Sequence, residues 1–235
     1  MSQSFNALAE ELQNTEMLRS DFVNNFSHEF KTPIVSIRGF AKLLQKGNLP
    51  AEQQREYLGI IADESTRLAE MATHVLDLTK IENQSILTDV TRFNLSEQIR
   101  GAVLLLEKKW SQKGLTIAAE FDEYEIEANE EMLKQVWINL IDNSVKFSPQ
   151  GGEIGLSIAK TADGIAVAVK NNGAEIAEED QKRIFNKFYQ GDTSHAAEGT
   201  GIGLAIVKRI VELHKGKISV VSSPRETVFT VSLPA

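Results

Sequence analysis

The feature that most constrains the fold is a change in the spacing of apolar residues partway along the chain. From about Ser4 to Lys46, apolar residues recur every three or four positions, which predicts one long helix. Gly47–Pro50 supplies stop signals, and the helical spacing resumes from about Ala51 to Glu82. Two helices joined by so short a loop predict an antiparallel hairpin.

The predicted hairpin has more apolar surface than two helices can bury against each other. Phe22, Phe26 and Phe30 are four residues apart and share one face of the first helix, which continues through Ile37 and Phe40. A homodimer that forms a four-helix bundle would bury this face. The alternative is packing of the hairpin against the rest of the same chain.

After about Ser85 the pattern changes to short runs in which apolar and polar residues alternate, as in β-strands. These runs lie at 115–121, 153–160, 165–170, 217–222 and 227–233, with helical patterns between them at 95–113, 130–147, 178–186 and 203–214. We therefore expect an α+β fold. A helical hairpin, residues 1–84, precedes a domain of mixed α/β layers, residues 85–235.

Composition narrows the range of functions. The formal net charge of −8 argues against a surface for nucleic acid or for anionic membranes. The chain contains no cysteine, which excludes disulfides, thiolate metal sites and cysteine nucleophiles. No apolar run reaches the roughly 18 residues of a membrane helix, so we expect no membrane contact within these residues. Partners are expected to be proteins or small ligands.

The segment FSHEFKTP places a histidine on the outer face of the first helix. His28 is two residues from both Phe26 and Phe30, about 200° around the axis from the apolar face. Lone histidines are usually structural or solvated, but the adjacent Glu29 can hold one ring nitrogen protonated and leave the other nucleophilic. Thr32 lies one turn later on the same face. A zinc-protease pattern would need a second histidine at that position.

A polar stripe on the helix predicted at 130–147 indicates a site for a charged ligand. Asn139, Asn143 and Lys146 are three or four residues apart and share one face. Magnesium prefers hard oxygen ligands, with phosphate and water completing its shell, so an amide oxygen beside a lysine suits a triphosphate. The alternative for these residues is an ordinary solvated helix face.

Three glycines precede the last predicted helix. Gly199, Gly201 and Gly203 allow the backbone to approach an anion closely, and the helix N-terminus that follows offers N–H groups to phosphate. Leu204 stands where a dinucleotide fingerprint needs glycine, and no Gly-Lys pair precedes Ser or Thr as in a P-loop. A glycine turn without a ligand is the alternative.

Together these motifs resemble the bacterial sensor histidine kinases of two-component systems. FSHEFKTP, with RSDFVNNFS before it, resembles their phosphoacceptor box, and the second half resembles their catalytic ATP-binding domain, shared in outline with gyrase, chaperone and mismatch-repair ATPases. The resemblance implies a dimeric hairpin followed by an α/β sandwich, and a kinase that autophosphorylates on His28 with ATP. It also implies transfer to an aspartate of a response regulator. Glu29 would be the general base, and Thr32 would orient water in the reverse, phosphatase activity.

The same resemblance implies a nucleotide site in which Asn143 binds Mg²⁺, Lys146 meets phosphate and Phe147 lines the adenine pocket. The segment from Asn186 to Glu198 would form a lid over ATP. The full set of implied nucleotide-binding residues is Asn139, Asn143, Lys146, Phe147, Asn171, Gly173, Ile176, Phe188, Gly199, Thr200, Gly201, Gly203 and Leu204.

The chain departs from the family pattern around the adenine pocket. The family's Asp-x-Gly-x-Gly box reads NNGAEI here, with Asn171 in place of the aspartate and Glu175 in place of the second glycine. Asn171 still offers an amide oxygen as acceptor, without the charge that strengthens such bonds. Gln190 stands where arginine is common, and the tail at 222–229 lacks glycines, which predicts a short hairpin.

These departures leave a second hypothesis open, a non-catalytic or phosphatase-only dimeric scaffold with weakened nucleotide binding. A third, an ATPase of the gyrase or chaperone type, leaves FSHEFKTP unexplained. Residues 1–12 look like the exit helix of the module that commonly connects a membrane sensor to such a core. We therefore expect a cytoplasmic fragment of a membrane sensor protein whose transmembrane part lies upstream.

Overall fold

The computed structural model describes residues 27–187, 189 and 201–234. Predictions that concern residues 1–26, Phe188, Gln190, Gly199 and Thr200 lie outside this part of the chain. The chain divides into two compact units, Met1–Leu76 and Asp77–Ala235. None of the described helices is both long enough and apolar enough to cross a membrane.

The first unit contains two long helices. Helix α1 covers residues 27–45, and α2 covers Ala51–Glu82, so that the last turns of α2 fall in the second unit. The turn between the helices bends at Gly47 and Asn48, which adopt positive φ angles of 70° and 60°. Glycine and asparagine tolerate this conformation better than other residues, which explains why α1 ends there.

Two contacts fix the relative direction of these helices. The rings of Phe40 and Tyr57 lie 5.0 Å apart near the turn. Farther from the turn, the carboxylate of Glu29 pairs with the guanidinium of Arg67 at 3.2 Å. Because late residues of α1 contact early residues of α2 and the reverse, the helices are antiparallel, which confirms the predicted hairpin.

The second unit is built on a five-stranded mixed sheet with strand order β2-β4-β5-β7-β6, beside a two-stranded antiparallel ribbon of β1 and β3. β2 runs parallel to β4, and the other neighbours are antiparallel. The strands are β1 Val90–Asn94, β2 Thr116–Ala118, β3 Glu125–Asn129, β4 Glu153–Thr161, β5 Gly164–Asn171, β6 Lys217–Ser222 and β7 Thr227–Pro234. The described helices of this unit are α3 Leu95–Leu105, α4 Glu107–Gln112, α5 Glu130–Phe147, α6 Glu178–Gln181 and α7 Gly203–Leu213.

Helices cover one face of the sheet. Val167 and Val169 of β5 are fully buried and alternate with half-buried Ala168, as expected for a strand with one face in the core. α5 packs on this strand and on α3 and α7. Trp137 of α5 is 1% exposed, and its indole N–H donates a hydrogen bond to Gln98 of α3 at 2.9 Å. The core therefore holds α5, which carries several of the predicted nucleotide residues, in a defined position.

Side chains fix both ends of α5. Asn129 caps its start by accepting a hydrogen bond from the backbone N–H of Met132 at 2.9 Å. At its other end, the ammonium of Lys113 donates to the carbonyls of Val145 and Lys146 at 2.9 and 2.6 Å. These bonds satisfy backbone groups that otherwise lack partners at helix ends.

His214 ties the end of α7 to the start of α5. Its Nδ1–H donates to the carbonyl of Ile210 at 2.8 Å, and its Nε2 accepts the backbone N–H of Asn129 at 3.2 Å. A neutral imidazole with its proton on Nδ1 makes both bonds, whereas a protonated one cannot accept. Burial lowers the pKa of His214 below its usual 6.5, which favours this neutral form.

The segment that leads out of α2 is also part of the second unit. The side-chain amide of Gln135 on α5 donates to the carboxylate of Asp77 at 3.1 Å. Arg209 of α7 donates to the backbone carbonyl of Gln84 at 2.8 Å. The domain boundary predicted after Gln84 stays a prediction. Contacts with α5 begin earlier in the chain, at Asp77.

Two local features of the second unit differ from the prediction, and a third agrees with it. The ribbon of β1 and β3 was not predicted, and the helix predicted at 95–113 is interrupted at Leu106, where φ is −98° and ψ is 10°. β6 and β7 are joined by residues 223–226, and the N–H of Ser223 donates to the carbonyl of Glu226 at 2.9 Å. The tail without glycines therefore forms a short hairpin.

Candidate active site

His28 lies on α1 and is exposed. The hydroxyl of Thr32 donates to the backbone carbonyl of His28 at 3.2 Å, so it is directed at the helix backbone. The half-buried Glu29 is paired with Arg67 of α2. The three predicted catalytic residues thus lie within about one turn of α1, and Glu29 has a partner that the sequence pattern did not reveal.

The polar face of α5 is held by its own neighbours. The side-chain amide of Asn139 donates to the carbonyl of Gln135 at 2.9 Å. One carboxylate oxygen of Asp142 pairs with Lys146 at 2.7 Å, and the other pairs with Lys109 at 2.6 Å. Burial acts to raise the pKa of Asp142, but the two lysines outweigh it and bring the pKa below its usual 3.8. Asp142 is therefore ionised and holds the ammonium of Lys146 near the helix.

Two of the predicted glycines lie where a side chain would collide with α5. A Cβ at Gly203 would lie 2.8 Å from Oδ1 of Asn139. A Cβ at Gly173 would lie 2.3 Å from the carbonyl oxygen of Phe147 and 2.6 Å from Nδ2 of Asn171. The start of α7 and the loop after β5 are therefore packed directly on α5, which brings Asn139 beside Gly203 and Phe147 beside Gly173.

Asn171 is the last residue of β5 and is 3% exposed. Its neighbour across the sheet is Thr227, the first residue of β7, which is equally buried. The hydroxyl oxygens of Thr227 and Ser222 lie 2.6 Å apart, and Ser222 accepts the backbone N–H of Ile176 at 2.9 Å. Sequence reasoning missed Ser222 and Thr227. The available signal was a pair of hydroxyl residues on either side of a loop without glycine.

Aromatic residues lie at the end of α5 and near the start of the predicted lid segment. Phe147 is 49% exposed at the end of α5, so its ring is open to a planar ligand. Before the lid, the ring of Phe185 packs edge-on against the buried Phe229 of β7, with centroids 6.5 Å apart. The guanidinium of Arg183 stacks 4.8 Å from the ring centre of Tyr189. These contacts anchor the segment that leads into the predicted lid.

The remaining predicted residues that the structure describes are Asn143, Ile176, Gly201 and Leu204, and all are half-buried. Gly201 has a φ of 64°, a conformation that favours glycine. In the described part of the chain, no group of three or more His, Asp or Glu side chains is placed to hold a metal ion. A magnesium ion at Asn143 would therefore take most of its ligands from phosphate and water, which matches its usual preference.

An exposed histidine on a helical hairpin, followed by an α/β domain with a polar helix and close-packed glycines, is the arrangement of a phosphotransfer hairpin attached to a nucleotide-binding domain. Residues 18–84 match the family model of the His Kinase A (phospho-acceptor) domain. Residues 128–235 match that of the histidine kinase-, DNA gyrase B- and HSP90-like ATPases. The chain is also 32% identical to the sensor histidine kinase YcbM of Bacillus subtilis, over 93% of this chain and 72% of YcbM. The chain belongs to the sensor histidine kinase family, and it is a protein-histidine kinase that carries an ATP-binding domain.

Two further comparisons agree with this assignment. The chain is 30% identical to the sensor histidine kinase CusS of Escherichia coli strain K12, over 99% of this chain and 49% of CusS. It therefore spans about half the length of CusS. The solved structure of histidine kinase ThkA in complex with response regulator protein TrrA gives a TM-score of 0.78 at 27% identity, covering 94% of this chain and 63% of that one. The predicted order of the two parts, a helical hairpin followed by an α/β domain, is confirmed.

Proposed function

We propose that this chain phosphorylates His28 with the γ-phosphoryl group of ATP and then passes that group to an aspartate of a response regulator. The observation that carries the proposal is an exposed histidine within the phosphoacceptor match, on the same chain as the ATPase match. An unprotonated nitrogen of the imidazole attacks phosphorus, the bond from phosphorus to the β–γ bridging oxygen breaks, and ADP leaves.

The helix around His28 supplies the proton chemistry in this proposal. His28 reacts as the neutral ring, so the proton on its other nitrogen has to be held or removed, and Glu29 is the proposed general base. In the structure the carboxylate of Glu29 is paired with Arg67. To act as a base, it has to turn toward the imidazole of His28. Thr32 is the proposed water-positioning residue of the phosphatase reaction, for which its hydroxyl has to leave the carbonyl of His28.

The polar face of α5 supplies the proposed nucleotide contacts. The amide of Asn143 suits magnesium, which when bound neutralises charge on the triphosphate. Lys146 is proposed to contact phosphate. To do so, its ammonium leaves the carboxylate of Asp142 and binds the nucleotide instead. Lys109 remains paired with Asp142, so that this exchange leaves no unpaired buried carboxylate. Phe147 is proposed to contact the base, and the other proposed contacts are Asn139, Asn171, Gly173, Ile176, Phe188, Gly199, Thr200, Gly201, Gly203 and Leu204.

We propose a homodimer in which two hairpins form a four-helix bundle. The single hairpin exposes several large apolar side chains, with Ile34 50%, Val35 46% and Leu58 56% exposed. A second hairpin would remove this apolar surface from water. Residues 1–84 are the proposed dimerisation and phosphotransfer domain, and residues 85–235 are the proposed catalytic domain.

The partner and the location are further parts of the proposal. ThkA, whose fold this chain resembles, was solved with a response regulator, and we propose a receiver domain as the acceptor for this chain. We also propose that the chain is the cytoplasmic part of a membrane sensor whose transmembrane segment lies upstream.

The test is labelling of the purified chain with magnesium and γ-labelled ATP, scored for acid-labile, base-stable label. We expect label on the parent chain and none on His28→Ala, because the nucleophile is removed. Asn143→Ala should reduce labelling to background, because the proposed magnesium ligand is lost. His74→Gln, which changes the other histidine of the hairpin, should keep the label.

Loss of label in His74→Gln together with its retention in His28→Ala would contradict the assignment of the phosphoacceptor. Absence of label from a folded, dimeric parent would contradict the kinase reaction of this chain. The non-catalytic or phosphatase-only scaffold would then take its place.

A further inference from the structure

Within the described residues, the carboxamide of Asn171 is buried and has no hydrogen-bond partner. The residue is 3% exposed, and its backbone pairs with β4 on one side and β7 on the other. Among residues 27–187, 189 and 201–234, none forms a hydrogen bond with its side chain. Buried polar groups in proteins nearly always have a partner, so this amide is placed to bind something that the chain itself does not supply.

The amide is not sealed inside the protein. In the described part of the chain, the side-chain atoms that are both sealed from solvent and unpartnered belong to Glu64 and Ser144, and not to Asn171. Gly173 packs closely against the amide, because a Cβ at this position would lie 2.6 Å from Nδ2 of Asn171. Gly173 also packs on the backbone carbonyl of Phe147, a residue that is 49% exposed. These features suit a planar ligand with a hydrogen-bonding edge.

The hydrogen bond between the hydroxyls of Ser222 and Thr227, next to Asn171, has no fixed direction. Ser222 accepts the N–H of Ile176, and either Ser222 or Thr227 can donate in the bond between their hydroxyls. In one direction the hydroxyl proton of Thr227 is free, and in the other the hydroxyl proton of Ser222 is free. The amide of Asn171 can also face either way, because it carries both a donor and an acceptor and no neighbour among the described residues fixes its orientation.

We propose that Asn171 makes the nucleotide site accept guanine as well as adenine nucleotides. The inference rests on the proposed function, in which this pocket holds the base of the phosphoryl donor. Adenine presents its amino group as a donor beside N1 as an acceptor, and guanine presents O6 as an acceptor beside N1–H as a donor. A carboxamide pairs with the first edge in one orientation and with the second after a rotation of 180°.

A carboxylate at the same position would not have this freedom. When ionised it only accepts hydrogen bonds, so with the base in the same pose it pairs with the amino group of adenine and repels O6 of guanine. A well-formed bidentate contact to a base discriminates by roughly 10- to 100-fold between the right and the wrong base. The substrate class of this chain is therefore purine nucleoside triphosphates in general.

Titration calorimetry with the whole chain, magnesium and either ATP or GTP tests this inference. For the parent we expect dissociation constants for GTP and ATP within about tenfold of each other. For Asn171→Asp we expect this ratio to rise by about tenfold or more, chiefly through weaker GTP binding. The matched control is Asn172→Asp, which adds the same charge next door at an exposed residue and keeps the oxygen that accepts the N–H of Glu153.

The outcomes separate the inference from the proposed function. If the parent binds ATP more tightly than GTP by more than about tenfold, the inference is overturned and the proposed function stands. If the folded parent binds neither nucleotide, the proposed function itself fails. If Asn172→Asp changes the ratio as much as Asn171→Asp does, the effect is one of charge, and the pairing of Asn171 with the base is refuted. The ratio measured on the parent decides the question even if Asn171→Asp does not fold.

Discussion

His28 and Asn171 are both polar residues with proposed roles in phosphoryl transfer, yet the first is exposed on a helix and the second is 3% exposed at the end of a strand. Around His28 one partly exposed ion pair holds Glu29. Around Asn171 the glycine that follows leaves no room for a Cβ. An acceptor that meets a nucleotide and then a second protein has to be reachable, whereas a site that orients a nucleotide has to be rigid.

The largest effect is expected from a substitution at Gly173, in the closely packed loop of the proposed nucleotide site. Gly173→Ala places a methyl group 2.3 Å from the carbonyl oxygen of Phe147, a backbone atom that cannot move alone. We expect a loss of about 1–3 kcal/mol in the free energy of unfolding and loss of nucleotide binding. The measurements are urea denaturation and calorimetric titration with ATP.

The matched control for this substitution is Gly101→Ala. Gly101 lies in the exposed part of α3, where a Cβ meets nothing within 4 Å. Alanine should raise the free energy of unfolding by about 0.5–1 kcal/mol, since it is the better helix former. Equal stability of Gly173→Ala and the parent would show that the loop after β5 is not packed as described.

The second unit should also lose stability in acid through His214. Because burial lowers the folded pKa of His214 below 6.5, the unfolded chain binds the proton more readily. The stability that the neutral ring provides is fully present above pH 6.5 and is lost as the pH falls from there toward the folded pKa. His214→Leu leaves the N–H of Asn129 unpaired, at a cost of about 1–3 kcal/mol at pH 7.5.

Urea denaturation of the parent and His214→Leu at pH 7.5 and pH 5.5 checks this prediction. The difference between the two proteins should shrink at the lower pH, because the parent alone has this neutral imidazole to lose. A difference that grows in acid would mean that the ring is protonated in the folded chain.

The smallest effect is expected at Arg67, which pairs with Glu29 beside the exposed His28. A partly exposed ion pair contributes about 0.2–1 kcal/mol, so Arg67→Leu should change stability by no more than that. Release of Glu29 should speed labelling of His28 by up to about fivefold. Arg55→Leu, on an exposed part of the same helix, is the control and should leave the initial labelling rate unchanged. Slower labelling of Arg67→Leu would mean that Arg67 positions Glu29 instead of occupying it.

Elements with a strong period were predictable from the sequence. The pattern of apolar residues placed α5 at 130–147 and β6 at 217–222, as the structure has them. β1 and β3 were missed because VTRFN and EIEAN are short and rich in polar residues, and pair only with each other. The break at Leu106 was missed because the helical pattern continues on both sides of it.

Contacts between distant residues were not predictable in the same way. Neighbouring positions on a helix follow from spacing, which is why Asn139, Asn143 and Lys146 were grouped. The pairing of Glu29 with Arg67 and the capping of α5 by Lys113 depend on how elements meet, and no local pattern records that. The roles of the grouped residues stay predictions that the labelling and titration experiments test.

The buried Trp137 gives the two units separate optical signals. The chain has two tryptophans, Trp110 and Trp137, and both lie in the second unit. Indole fluorescence therefore reports the unfolding of the α/β unit alone, while far-ultraviolet circular dichroism also records the long helices of the hairpin. If the two probes give different midpoints in one urea titration, each unit's stability can be read from a single sample without any added label.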